Sequence, residues 1–357
     1  MKVHVFGNSP SPAVSIYGLR RVTSHGVKER DSEATHFVMR NFYVDDGLSS
    51  FPTDEKAIAV LKNTKEMLAE SSIKLHKIAS NSRTVMDAFP PEERAKDLVD
   101  LELTVDPLPL QRSLGLSWNL QSDTFTFRVS REKKSFTRRG ILSTVNGLYD
   151  PLGFVAPVTI KGKALVRELS AEQAKWDAPL PAPKEEQWRM WTDSLCELEQ
   201  LQIDRPYVPV SLCSTKHREL CIFCDASTMA ISAVAYLKAT DKNGHTHIGF
   251  LMGKAKLAPH PPHTVPRLEL CAAVLAVELA DLITEELDVD IHKVTFYTDS
   301  RIVLGYINNT SRRFYVQYMS PIESHASESL QARNNGTLSA QNTTQQTMGL
   351  AQCQQPC

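Results

Sequence analysis

Hydrophobic residues recur along this chain with two periods, and the changes between them mark its elements. Apolar and β-branched runs at Leu220–Asp225, Ala230–Leu237 and His247–Met252 predict three successive strands. The long run Arg267–Leu287 has a helical period, with Leu270, Val274 and either Val277 or Leu275 facing inward. Val294–Thr298 predicts another strand, and Ile302–Ile307 the start of a helix. Upstream, residues 6–13 form a loop entering a short helix, and Phe42–Leu48 predicts a tight hairpin with Asp45 and Asp46 at its tip. Thr53 caps a helix with Asp54 and Glu55 in its first turn and Ile58, Leu61, Met67 and Leu68 on its apolar face. Ile73–Ile78 reads as a strand, and Phe125, Phe127 and Val129 alternate on another.

From Thr137 the pattern turns helical. Ile141, Leu142, Val145 and Leu148 share one face, and Asp150-Pro151-Leu152-Gly153 stops the helix. A second helix runs from about Val158 to Leu169. Pro179, Pro181 and Pro183 break the chain as a linker would, and Trp188, Trp191, Leu195 and Leu198 then line a helix as core residues. The strand-rich part begins beyond Arg205-Pro206. After Tyr318 there is no Phe, Trp or Tyr, and the stretch from Gln317 to Cys357 is rich in Gln, Asn, Ser and Thr, too poor in apolar surface to order itself.

At 357 residues the chain is long enough for two or three domains, and 42% hydrophobic with 23% charged residues is a globular composition. No apolar run reaches membrane-spanning length and Met1-Lys2-Val3-His4 opens no signal peptide, so the expected location is cytoplasmic or nuclear, with no membrane partner. The seven cysteines lack clustered, even spacing, which fits a reducing compartment. Cys221 and Cys224 are spaced as a CxxC, but on a strand they point to opposite faces and read as core residues. A net charge of -1 decides nothing about nucleic acid, because a local stripe outweighs the sum. Arg128, Arg131, Lys133, Lys134, Arg138 and Arg139 form such a stripe, with Glu132 the nearby opposing charge, and are the candidate phosphate contacts.

The candidate chemistry lies in carboxylates. Asp225 and Asp299 each close a strand and Glu269 lies near the start of a helix; three carboxylates so placed are what a pair of Mg²⁺ ions needs to cut a phosphodiester. Asp45 and Asp46 at the hairpin tip are a second candidate pair.

The order Asp225, Glu269, Asp299 on this framework resembles ribonuclease H, and Tyr43-Val44-Asp45-Asp46 resembles the polymerase centre of reverse transcriptases, where the Asp pair holds Mg²⁺. The Ser-Pro-Ala loop at Ser11-Pro12-Ala13 and the Leu114-Gly115-Leu116-Ser117-Trp118 segment resemble the nucleotide-contacting loop and the primer-supporting hairpin of those enzymes. With Arg139-Gly140-Ile141-Leu142-Ser143, Asp150-Pro151-Leu152-Gly153, Pro266-Arg267-Leu268-Glu269-Leu270 and Tyr297-Thr298-Asp299-Ser300, the stretch from about Val3 to Tyr315 resembles the Pol polyprotein of a BEL/Pao-type LTR retrotransposon. The central part also resembles the region named Pao retrotransposon peptidase, but no Asp-Ser/Thr-Gly triplet supplies the dyad of an aspartic protease.

The resemblance implies a mixed α+β and α/β multidomain chain. Its parts would be a truncated reverse transcriptase palm at 1–130, a helical thumb- or connection-like region at 131–210, an incomplete ribonuclease H-like domain at 211–316 and a disordered tail at 317–357. It implies Mg²⁺ or Mn²⁺ as the metal, an RNA–DNA hybrid or single-stranded nucleic acid as partner and no small-molecule cofactor. In the family, Asp225 would bridge both ions while Glu269 and Asp299 each complete one shell. Fingers, the upstream palm Asp and a fourth nuclease carboxylate have no counterpart in the chain, so the expectation is no polymerase activity and weak or absent nuclease activity. The alternative is a domesticated module that binds nucleic acid without cutting it. The tail from about Gln317 is expected to be a frameshifted reading, since Gln341–Leu350 can be encoded so that an offset frame reads Asn-Pro-Ala-Asp-His.

Overall fold

The computed structural model describes residues 10–25, 32–44, 46–95, 110–113, 116–130, 134–171, 175–179 and 181–308. The tail and its frameshift therefore lie outside the described residues, as do Asp45, Arg131, Lys133, Leu114 and Gly115. The chain divides into two compact units: residues 1–131 with 192–206, and residues 132–191 with 207–357.

The first unit opens with helices α1 (Ser11–His25) and α2 (Ser32–Asn41), then the ribbon β1 (Phe42–Tyr43) and β2 (Asp46–Gly47). Phe42 pairs with Gly47 and Tyr43 with Asp46, so Asp46 lies in a strand of the ribbon rather than at its tip. Val44 takes φ 59°, a left-handed conformation unfavourable for a β-branched residue. A Cβ at Gly47 would meet the Phe42 ring at 2.7 Å, so a larger residue there would make that ring shift. Helix α3 (Asp54–Ala69) begins where expected, with the Thr53 hydroxyl accepting from the Lys56 amide at 3.2 Å. Its most buried residues are Ala57, Val60, Thr64, Met67 and Leu68, so Ile58 and Leu61 sit on the margin of the face the sequence assigned to them. There they pack on Phe89 and Val85 of the segment around α4 (Arg83–Asp87), while Met67 packs on Ala34 and Val38 of α2.

The strand expected at Ile73–Ile78 does not form. Only Ile78 bridges, to Arg94, and Lys77 turns the backbone with φ 61°. Strands β3 (Leu110–Ser113), β4 (Leu116–Asn119), β5 (Thr124–Thr126) and β6 (Ile203–Asp204) make an antiparallel sheet in that order. Asp123 fastens it, accepting from Trp118 Nε1 at 2.9 Å and from Arg205 at 2.6 and 2.8 Å.

In the second unit, α5 (Arg138–Gly147) is capped by the Thr137 hydroxyl and buries Gly140, Ile141 and Val145. Helix α6 (Ala156–Ala171) follows Asp150-Pro151-Leu152-Gly153. The proline run is no loose linker: Pro179 bridges to Thr137, and Pro183 lies in the first turn of α7 (Ala182–Ser194). Trp188 and Trp191 are buried as expected, their rings 5.4 Å apart.

Three long antiparallel strands follow, β7 (Thr215–Ala226), β8 (Ala230–Asp241) and β9 (Thr246–Leu257). Helix α8 (Val265–Glu286) then crosses back, β10 (Lys293–Tyr297) pairs parallel to β7, and α9 (Arg301–Asn308) leaves it. The sheet order is β10-β7-β8-β9. Helix α8 buries Leu268, Ala272, Ala273, Leu275, Ala276, Leu279 and Ala280 against Leu220, Ile222, Ala233, Ala235 and Leu237. Leu270 and Val274, expected inward, are only half-buried. Small alanines on both helix and strands let the backbones approach, so the alanine face wins over the bulkier one. Cys224 joins this core, and Cys221 is buried on the opposite face of β7, as their strand spacing requires.

The loop before α6 locks onto β9 of the same sheet. Gly253 N donates to Leu152 O at 2.8 Å, and a Cβ on Gly153 (φ 78°) would lie 1.9 Å from Gly253 O. Residues 132–191, with α5, α6 and most of α7, fall in the unit that holds β7 to β10, and residues 192–206 in the other. Among the described residues no helix is long and apolar enough to cross a membrane.

Candidate metal centre

The register of β10 on β7 builds the site. Tyr297 stands opposite Phe223 in a parallel pair, which brings the positions two residues on, Asp225 and Asp299, to the same end of the sheet. Helix α8 starts after Thr264 and places Glu269 in its second turn. Ligand oxygens of Asp225, Glu269 and Asp299 all lie within 4.8 Å of one another, with both Asp residues exposed and Glu269 half-buried. The sequence-predicted trio is therefore brought together.

Three carboxylates this close repel one another. Burial, then the charges of Asp225 and Asp299, push the Glu269 carboxyl above its ordinary value. Its Oε2 is buried without a hydrogen-bond partner, while Asp225 Oδ1 accepts from the Ala226 amide at 2.7 Å. Like charge held at short range with an orphaned oxygen fits a divalent cation. The donor set selects a hard one, since carboxylate oxygens suit Mg²⁺ or Mn²⁺. Cys224 lies next to this cluster in the sequence, but its side chain joins the apolar core under α8, where burial drives its thiol up to about 11. Turns on either side hold the strand ends. Ser227 accepts from the amides of Met229 and Ala230 at 3.3 and 3.1 Å, and Ser300 accepts from the Val303 amide at 3.4 Å.

Beneath the acidic end, Phe223 and Tyr297 stack at 4.5 Å on the face opposite α8. Further down, Glu219 is buried between Thr295, Lys238 and Lys293. Burial works to raise its carboxyl, but those hydrogen bonds prevail and hold it at about 2.

The other expected site residues fare differently. Asp46 is exposed on the first unit's ribbon and belongs to no group of three metal-capable side chains among the described residues. Arg128 is exposed in the first unit, and Lys134, in the second, is half-buried. Arg138 lies over the Trp176 ring at 4.7 Å, and Arg139 makes a two-pronged pair with Asp177 at 2.7 and 3.1 Å. That pairing raises the Arg139 guanidinium and lowers the Asp177 carboxyl. The stripe read from sequence thus spends two of its cations on the 176–177 loop. One residue went unread: Arg301, exposed at the first position of α9, two after Asp299. A charge directly following Tyr297-Thr298-Asp299-Ser300 was the available signal.

Residues 137–300 match the family model described as the Pao retrotransposon-like RNaseH-like domain. No curated protein matches the chain in sequence. Among solved structures, the foamy viral protease–reverse transcriptase in complex with double-stranded DNA is 12% identical with a TM-score of 0.48, over 94% of this chain and 50% of that one. The chain thus spans half the length of that relative. RNase H1 of the halophilic archaeon Halobacterium salinarum is 12% identical over 34% of this chain and 78% of its own, with a TM-score of 0.21. LC11-RNase H1, solved with an RNA/DNA hybrid, is 14% identical over 34% and 81%, with a TM-score of 0.22. Residues 137–300 are thus similar to a Pao retrotransposon-like RNaseH-like domain, and the retrotransposon kinship expected from the motifs holds. The family is named for a nuclease-like fold and not a peptidase, in keeping with the missing Asp-Ser/Thr-Gly triplet.

Proposed function

We propose that the second unit is the ribonuclease H part of a Pao-type retrotransposon Pol protein and cuts the RNA strand of an RNA–DNA hybrid, weakly. The observation that carries this reading is the Asp225–Glu269–Asp299 cluster, its oxygens within 4.8 Å, inside the family-matched residues. Asp225, Glu269 and Asp299 would be the oxygen ligands that hold Mg²⁺ or Mn²⁺. Bound there, the ions supply an activated water and charge stabilisation for the leaving oxygen. The protein's own part is placement. β7 and β10 hold two carboxylates level, and α8, fixed by its alanine face, brings in the third.

Weakness follows from the ligand count. Among the described residues no fourth acid joins the three, so fewer oxygens would be offered to the metal. For the hairpin we propose no activity, because Asp46 stands outside any such cluster among the described residues. Incubating the purified chain with a labelled hybrid and Mg²⁺ tests the reading: slow cleavage of the RNA strand, lost in Asp225→Asn, is expected. Binding with no cleavage at any Mg²⁺ or Mn²⁺ concentration would leave the non-cutting module instead.

A further inference from the structure

Arg301 breaks a local rule. It is the first residue of α9, and the N-terminal turn of a helix carries partial positive charge that disfavours a cation. No acidic residue in that turn offsets it. Other arginines of the same unit are engaged: Arg139 by Asp177, Arg189 by Glu186, Arg138 by the Trp176 ring, Arg167 and Arg218 by backbone carbonyls. Arg301 is exposed, and no carboxylate, carbonyl or ring among the described residues engages it, although Asp299 is two residues away. Rules of this kind are broken where function needs the residue.

We propose that Arg301 is a substrate-binding residue that grips a backbone phosphate of the strand offered to the three carboxylates. The inference rests on the nuclease reading above and deepens it. A planar guanidinium forks onto two phosphate oxygens, which an ammonium cannot do. Charge makes the grip conditional. Three bare carboxylates attract Arg301, whereas two divalent ions reverse the sign of the cluster and leave the guanidinium to the incoming phosphate.

The test is binding rather than turnover. Anisotropy of a labelled RNA–DNA hybrid is followed on the full chain with Ca²⁺ replacing Mg²⁺, across a salt series. Arg301→Ala is expected to weaken binding about ten-fold and to lower the slope of log affinity against log salt by about 1, one phosphate contact. Arg301→Lys should keep the slope and lose part of the affinity. Lys242→Ala, in the exposed turn after β8, is the control and should change neither. Unchanged affinity and slope in Arg301→Ala overturns the proposal, as does an equal loss in Lys242→Ala. So does lower thermal stability of Arg301→Ala without ions at unchanged affinity, since that marks a residue which merely offsets the carboxylates. If Arg301→Ala is silent while Asp225→Asn abolishes cleavage, the grip alone is wrong. If the chain neither binds nor cuts hybrid, both readings fall.

Discussion

Each unit presents acid at the end of β-structure, yet the two ends are built from different materials. In the first, Asp46 rides on a ribbon of two residues per strand, seated by Phe42 packing at 5.2 Å on Phe37 of α2. Nothing else among the described residues brings two further ligands to it. In the second, Asp225 is the penultimate residue of a twelve-residue strand paired on both sides, its register with β8 unbroken from His217 to Ala226, and α8 packs on the same sheet. A motif becomes a site when separate elements converge on it and are each held by packing. A two-residue ribbon can display a carboxylate but cannot place a partner for it.

The largest expected effect lies at the converged site. Asp225→Asn should reduce Mg²⁺-dependent hybrid cleavage by about a thousand-fold or more, while Asp46→Asn leaves it unchanged. Equal losses would show that the two acidic ends act together and break the contrast. Asp225→Asn should also raise the ion-free melting temperature, because it removes one of three repelling charges.

Packing beneath the site comes next. Gly153→Ala needs a left-handed alanine and drives a Cβ into Gly253 O, so it should cost about 3 kcal/mol or more in thermal unfolding. Gly244→Ala, with φ 88° but open space around it, should cost only about 1 kcal/mol. A similar cost at both would mean that the loop before α6 is not locked on β9.

Acid separates two groups of the second unit. Glu219 has its folded value depressed from 4.5 to about 2, so its stabilisation is complete above the ordinary carboxylate range and is lost as pH falls toward 2. Glu219→Gln should therefore lower stability at neutral pH, by about 1–2 kcal/mol, and flatten the acid limb of a melting-temperature profile. Glu269 has the opposite sign. Its folded value is raised, so without metal its contribution declines as pH rises from 4.5 through the folded value. Mg²⁺ should accordingly raise the melting temperature more at neutral pH than near pH 4.5, a dependence that Glu269→Gln removes.

The smallest effect probes the first unit. Thr53→Ala removes the cap of α3 and should cost about 1 kcal/mol there with hybrid cleavage unchanged. A loss of cleavage would show that the two units are not independent in function.

Much of the site was legible in the chain before any fold. Strand-ending Asp225 and Asp299, Glu269 on its helix, the Thr53 cap, the helical pattern from Thr137 and the core tryptophans all follow from local pattern, because period and capping chemistry act over a few residues. Other features depended on what each residue meets across the fold. Ile73–Ile78 has strand-like residues but only Arg94 bridges there, so it stays irregular. The inward face of α8 was chosen by alanines opposite alanines, which hydrophobicity alone ranks below Leu270 and Val274. The basic stripe became partly self-engaged when the chain returned at Trp176 and Asp177. Asp225 and Asp299 are 74 positions apart, and only the parallel register of β10 on β7 makes them neighbours, because strand pairing joins residues that no local period relates.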